Sequence, residues 1–290
     1  MKYIKIICCL LIVSVLSGPG IPVLKVFAEE ESDAYPKGYY SGDHLPANTA
    51  YLTFDDGPSD WTEGILDTLR EEKVKATFFI CAYWNIRNIR AKNSFQIHKH
   101  ALQRAVREGH VLGNHTAGHR VLSGLSPETI QNQFKHNQYY LDQVLGSESP
   151  FMTIFRPPLG LPWKKSIPLK KKAHVGGVIR KIGILSLWTR ECDSSDSWDW
   201  ARGEWYRKCP RINGNTESFL KKKERIYNRI ISNADGRGMV ILLHDTHLVS
   251  KEVLPSIIKE LKNRGYVFRT MEDFVVWKYG KPSRELLGLK

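Results

Sequence analysis

What most constrains this chain is a regular alternation of two kinds of segment. Short apolar, β-branched runs recur at Tyr51–Phe54, Ala76–Cys81, Val111–Leu112, Met152–Phe155, Ile182–Leu187, Met239–Leu243 and Tyr266–Phe268. Between most of them lie stretches with helical spacing: Thr62–Glu72, Ile97–Glu108, Pro127–Leu145, Glu217–Asn233 and Val253–Arg264. Gly109, Gly146 and Gly265 stand where three of these stretches end, as helix C-termini favour. Strands that alternate with helices argue for an α/β fold with parallel strands, and about seven such units suit a barrel-like closure. No internal repeat or low-complexity tract interrupts the pattern, so a single domain is expected.

The chain begins differently. Lys2 and Lys5 precede an apolar run from Ile6 to Leu16, then Ser17-Gly18-Pro19-Gly20, then Val26-Phe27-Ala28 before an acidic triplet. A basic start, a short apolar stretch and a small residue at the cut make the pattern of a secretory signal over residues 1–28. The run is shorter than the roughly 20 residues of a spanning helix. An exported protein is expected, meeting a membrane only through this segment if it stays attached. Residues 29–48 read as a polar linker. Beyond residue 28 the cysteines are Cys81, Cys192 and Cys209, too few for a disulfide framework, although Cys192 and Cys209 could pair across one loop.

Of the 290 residues 25% are charged and 42% hydrophobic, which excludes a disordered chain and a polytopic membrane protein. The net charge of +13 points to anionic company without choosing among nucleic acid, an acidic surface and an acidic polymer. It is unevenly spread: residues 161–230 carry 17 basic against 7 acidic residues, including Lys170-Lys171-Lys172 and Lys221-Lys222-Lys223. The export signal and the lack of a nucleic-acid-binding motif argue against nucleic acid.

In α/β barrels chemistry gathers where strands end, and five polar clusters stand at such ends. They are Asp55-Asp56-Gly57-Pro58, His115 with His119, Arg156-Pro157-Pro158-Leu159-Gly160, the stretch Asp193 to Trp200, and His244-Asp245. Two adjacent carboxylates ending an apolar strand need partners, because buried charge is costly unless paired or bound to metal. His115 and His119 have the spacing that would put two imidazoles on one helical face. One carboxylate with two imidazoles leaves a divalent ion an open position, as hydrolytic sites require.

These motifs, in this order, resemble the polysaccharide deacetylases, the carbohydrate esterases that share the NodB homology domain. The resemblance runs from Ala50 to Trp277, which sets a domain at 49–277 with a C-terminal tail at 278–290, and it implies a distorted (β/α)7 barrel. It further implies that Asp56, His115 and His119 hold one divalent metal, with zinc suited to the donor set and cobalt or another transition ion also accepted. Asp55 would be the general base and His244 the general acid. Asp199 would orient His244, although Asp193 and Asp196 offer a competing register, and Arg156 would anchor Asp55. The backbone N–H of Leu159, beside Pro158, would stabilise the oxyanion, and Trp200 and Leu242 would line a slot for the acetyl methyl. The family usually has Tyr where this chain has Leu159.

The implied reaction is hydrolytic deacetylation of an N-acetylated glycan polymer, with GlcNAc in peptidoglycan the first choice and an anionic wall polymer a candidate neighbour of the basic segment. O-deacetylation of a sugar polymer would use the same machinery. A non-catalytic glycan-binding relative would be expected to lack a ligand or the base, and here all are present. A monomer is expected.

Overall fold

A computed structural model of the chain describes residues 40–83, 92–164, 166–196, 198–199, 204–205 and 217–289, the two short pairs by backbone only. The signal segment, most of the linker, Trp200 and Cys209 lie outside the described residues.

In chain order the strands are β1 (Thr49–Asp55), β2 (Thr77–Ile80), β3 (Val111–Asn114), β4 (Ile154–Phe155), β5 (Ile184–Leu185), β6 (Trp198–Asp199), β7 (Glu204–Trp205), β8 (Met239–His244) and β9 (Val267–Arg269). Each of the seven apolar runs contains or overlaps one of them. β6 and β7 form a small antiparallel pair of their own. The helices are α1 (Thr62–Glu71), α2 (Ser94–Ile97), α3 (Lys99–Arg107), α4 (Pro127–Leu145), α5 (Leu169–Ile179), α6 (Glu217–Ile231), α7 (Leu248–Asn263), α8 (Met271–Tyr279) and α9 (Ser283–Leu286).

The large sheet is parallel and ordered β5-β4-β3-β2-β1-β8. β8 follows the whole of one edge of β1, while the other edge takes β9 over Thr49–Tyr51 and β2 over Thr53–Asp55. Past β5 the chain swings over to β8, where Thr189 N–H donates to Val240 O at 3.0 Å and Ser194 N–H to Leu242 O at 3.1 Å. The sheet is therefore curled, and among the described residues irregular backbone around Thr189 and Ser194 bridges from β5 to β8. This is the expected α/β architecture.

Every residue of β1 is buried, as a parallel strand covered on both faces requires. Leu52, Phe54, Phe78, Ile80, Ile241 and Leu243 face outward into a core shared with α1, α3, α6 and α7. Tyr51, Phe79, Val240 and Leu242 face into the curl, with Trp163, Trp188 and Phe274. Leu45 and Leu286, which flank the 49–277 segment, are also buried in this inner cluster, and Ser283 meets Thr153 at 2.6 Å between hydroxyls.

Local signals explain some helix ends. Ser126 caps α4 by accepting from Thr129 N–H at 3.2 Å, with Pro127 at the first helical position. Thr270 and Asp273 form a reciprocal capping box on α8. α7 starts at Leu248, five residues before the periodic stretch, and runs through Pro255. That earlier start brings Ser250 to the site described next.

Candidate active site

β1 delivers two carboxylates in different ways. Asp55 continues the strand and faces the inside of the curl, in register with Phe79 of β2 and His244 of β8. Asp56 breaks the strand with φ 76°, a left-handed conformation that non-glycine residues seldom adopt. The turn is sewn to β2 by Asp56 N–H to Phe79 O at 3.2 Å and by Cys81 N–H to Gly57 O at 2.8 Å.

Beyond β3 the two histidines meet by a route that periodicity does not describe. The segment is irregular, with Thr116 at φ 72° and His119 at φ 46°, so the expected helical face is replaced by left-handed turns. Asn114 Oδ1 accepts from Thr116 N–H at 3.0 Å and from Asn137 Nδ2 at 3.0 Å, and Gln133 takes the Gly118 amide at 3.1 Å, tying the loop to α4. Left-handed residues at Asp56, Thr116, His119 and Leu159 cluster here, as strain does at functional sites.

His115 Nδ1 lies 2.7 Å from Arg156 O, which can only accept, so Nδ1 carries a proton and Nε2 is the nitrogen that faces Asp56. That Nε2 is 3.2 Å from Asp56 Oδ1, and His119 Nε2 is 3.1 Å from the same oxygen. Asp56 Oδ1 is buried without a hydrogen-bond partner. Asp56, His115 and His119 each present one donor atom, all within 4.8 Å of one another. Burial alone would raise the Asp56 carboxyl, but His119 and His115 hold it well below the usual carboxylate range. An orphaned carboxylate oxygen facing two imidazole nitrogens is a donor set that fits a divalent cation.

Arg156 is fully buried, and all three of its guanidinium nitrogens donate. Nη1 donates to Asp55 Oδ1 at 2.7 Å and to Thr53 Oγ1 at 2.8 Å; Nη2 donates to Leu187 O at 2.7 Å and Nε to Ser186 O at 3.2 Å. Its guanidinium lies 3.9 Å from the centre of the Phe79 ring. Asp55 Oδ2 is left facing His115 Nε2 at 3.7 Å.

Across from this group stands His244, its Nε2 4.0 Å from Asp56 Oδ2. Its Nδ1 pairs with Asp196 Oδ1 at 2.7 Å. Asp196 Oδ2 accepts from His244 N–H at 2.7 Å and from Ser250 Oγ at 2.6 Å. Burial alone would lower the His244 pKa; the charge and hydrogen bond of Asp196, with Asp56 and Asp55 nearby, push it up to about 10. The carboxylate on His244 is thus Asp196, a correction to the expected Asp199. Asp199 belongs to β6, paired with Glu204, and its side chain lies outside the described residues. The Ser194–Leu242 bond brings Asp196 alongside β8 and so selects the register.

Pro158 is buried, and Leu159, at φ 60° and ψ 12°, leaves its side chain half exposed in the same turn. Leu242 is buried on the inner face of β8, two residues before His244. Trp200 lies outside the described residues. Thr53 and Ser250 supply the hydroxyls that complete the Arg156 and Asp196 networks, roles that the sequence does not signal. Asp245 and His247 are buried close by; burial pushes the Asp245 carboxyl up to about 7 and His247 down to about 4.

Residues 42–176 match the sequence profile described as polysaccharide deacetylase. A peptidoglycan-N-acetylglucosamine deacetylase of Bacillus cereus is 30% identical over 224 residues, which are 77% of this chain and 69% of the relative. This chain belongs to the polysaccharide deacetylase family. Among other members, a peptidoglycan-N-acetylmuramic acid deacetylase of Bacillus subtilis is 26% identical over 83% of this chain and 76% of its own length. The crystal structure of a polysaccharide deacetylase from Bacillus cereus superposes with a TM-score of 0.57 at 28% identity, covering 77% of this chain and 91% of that one. As a polysaccharide deacetylase the chain is a hydrolase, and its Asp-His-His cluster suits one divalent metal ion.

Proposed function

We propose that this polysaccharide deacetylase removes the N-acetyl group from GlcNAc residues of peptidoglycan, and that it does so outside the cytoplasm. The observation that carries the reading is the pairing of opposed groups across one site. Asp55, Asp56, His115 and His119 converge on one side, and an Asp196-held His244 stands 4.0 Å away on the other. The glycan assignment is supported by the printed activities of the relatives, and export by the signal-like start of the chain. Among the described residues no helix is long and apolar enough to cross a membrane.

Asp56, His115 and His119 would hold the metal. When bound, a divalent ion, zinc being the one best suited to these donors, supplies a Lewis acid for the amide carbonyl and makes water acidic near neutral pH. Asp55 receives the proton of the attacking water at Oδ2, since Arg156 occupies Oδ1. The tetrahedral oxyanion meets the backbone N–H of Leu159, held in its left-handed turn. His244 delivers the proton from Nε2 to the departing nitrogen, because an amine leaves poorly as its anion. Asp196 keeps that ring oriented with Nδ1–H turned away from the substrate. Leu242, on the inner face of β8, walls the acetyl methyl.

The basic segment adds a flank. Lys164, Lys170 and Lys171 are exposed on and before α5, whereas Lys172 is buried. Exposed lysines in the segment that follows the Pro158–Gly160 turn suit an anionic wall polymer, so neutralising Lys170 and Lys171 should weaken polymer binding and its salt dependence.

The test is incubation of the metal-supplemented protein with peptidoglycan and GlcNAc oligomers, measuring released acetate and product masses. Acetate with loss of one acetyl mass per GlcNAc supports the proposal. Acetate lost from muramic acid alone would move the substrate, and none from any glycan would refute the activity.

A further inference from the structure

Asp245 follows the proposed acid His244, yet its side chain joins none of the contacts of that site. It is 1% exposed, with Oδ1 buried and unpartnered. Oδ2 accepts from Thr62 Oγ1 at 2.6 Å, and its backbone carbonyl accepts from Ser59 Oγ at 2.5 Å. Ser59 N–H donates back to Thr62 Oγ1 at 2.8 Å, and Trp61 N–H to Ser59 Oγ at 3.1 Å. The whole turn from Gly57 to the start of α1 is therefore pinned to one residue at the end of β8.

Gly57 fits beneath this pin. A Cβ built there would lie 2.0 Å, 2.2 Å and 2.3 Å from Oδ2, Oδ1 and Cγ of Asp245. Gly57 does not have a positive φ, so glycine is required there for room rather than for backbone freedom. Gly57 follows Asp56, whose left-handed turn sets the carboxylate against both histidines. Burying a carboxyl with one oxygen unpaired is costly, and packing alone would be served as well by an apolar side chain.

We propose that Asp245 is a positioning residue, a clamp that holds the Gly57–Thr62 turn against β8 and so sets Asp56 against His115 and His119. Successive residues where β8 ends then have separate tasks: His244 turns inward to the site, and Asp245 ties down the turn that carries a metal ligand. The inference rests on the reading that Asp56, His115 and His119 hold a divalent ion.

The experiment is a Zn2+ and Co2+ titration of the full chain against a chromophoric chelator, with a thermal melt of each variant. Asp245→Ala and Thr62→Val should each weaken metal binding about 10–100-fold, the usual scale for groups that support ligands, while Thr62→Ser keeps near-native affinity. Gly57→Ala should also bind poorly, and Gly57→Ala combined with Asp245→Ala should bind better than Gly57→Ala alone, because the clash is removed. Thr62→Val alters a single hydroxyl and stands in should Asp245→Ala fail to fold. Native affinity in Asp245→Ala or Thr62→Val, or no recovery in the double variant, overturns the clamp. A wild-type chain that binds neither ion instead overturns the metal reading, and the clamp with it.

Discussion

His244 and Asp196 are joined twice. One oxygen of Asp196 pairs with Nδ1 of the His244 ring at 2.7 Å, and the other accepts the backbone N–H of His244, also at 2.7 Å. Ring and main chain are thus held by one carboxylate, itself braced by Ser250 at 2.6 Å. Nε2 is left pointing at the Asp56 side of the site, and the charge of Asp196 favours the protonated imidazole.

Asp196→Asn keeps a group able to accept the Nδ1 proton but removes its charge. With that charge gone the pKa of His244 falls, so less of the ring is protonated at any alkaline pH. The alkaline limb of the kcat/KM profile should therefore move to lower pH, and activity should drop about 10²-fold or more, the scale of general acid–base catalysis. Acetate release measured across pH checks this, and a limb that does not move would remove His244 from the role of acid.

Asp55 and His119 should separate chemistry from metal content. Asp55→Asn keeps an oxygen for Arg156 and leaves Asp56, His115 and His119 intact, but lacks basicity. It should retain metal and lose turnover by about 10²–10⁴-fold. His119→Ala should lose both metal and turnover. Metal content by atomic spectrometry beside acetate release is the measurement, and loss of metal from Asp55→Asn would make Asp55 a ligand.

Much of this site was readable because parallel strands end at one rim. Asp55, Arg156 and His244 directly follow apolar runs, and Asp56 and His115 stand just beyond, so strand ends alone gather them. The partner of His244 was not readable: Asp193, Asp196 and Asp199 recur every three residues, and only a bond between Ser194 and Leu242 selects among them. The spacing of the two histidines would suit one face if the segment were helical, whereas left-handed backbone at Thr116 and His119 brings them together, which no periodicity encodes. α5 was hidden by Gly176 and Gly177, poor helix formers, and α8 lacked a one-sided apolar stripe although its Thr270–Asp273 box was in view. The clamp on Gly57 depends on an interatomic distance and leaves no pattern.

Arg156 should be as much a matter of stability as of catalysis. It is fully buried, and Asp55 is 3% exposed. Arg156→Met would leave the Asp55 carboxylate buried without its partner, which costs about 3–5 kcal/mol. Denaturant midpoints should show that loss, and adding Asp55→Asn should recover part of it by removing the stranded charge. Additive losses in the double variant would mean that the pair is not coupled.

His110 should make stability depend on pH well away from the site. Its side chain is fully buried, and Nδ1 accepts the Ala76 N–H at 3.1 Å, a bond that protonation would break. Burial, helped by Lys75 and Arg104, pushes its pKa down to about 4, against an ordinary 6.5. Between those values the unfolded chain binds a proton that the folded chain refuses, so stability rises with pH. The contribution is fully present above about 6.5 and lost as pH falls toward about 4, in total about 3 kcal/mol. His110→Asn offers Oδ1 to the Ala76 amide with no site to protonate. Urea midpoints of the two proteins should diverge as the pH falls through this window, with the wild type losing more; parallel curves would show that His110 titrates alike in both states.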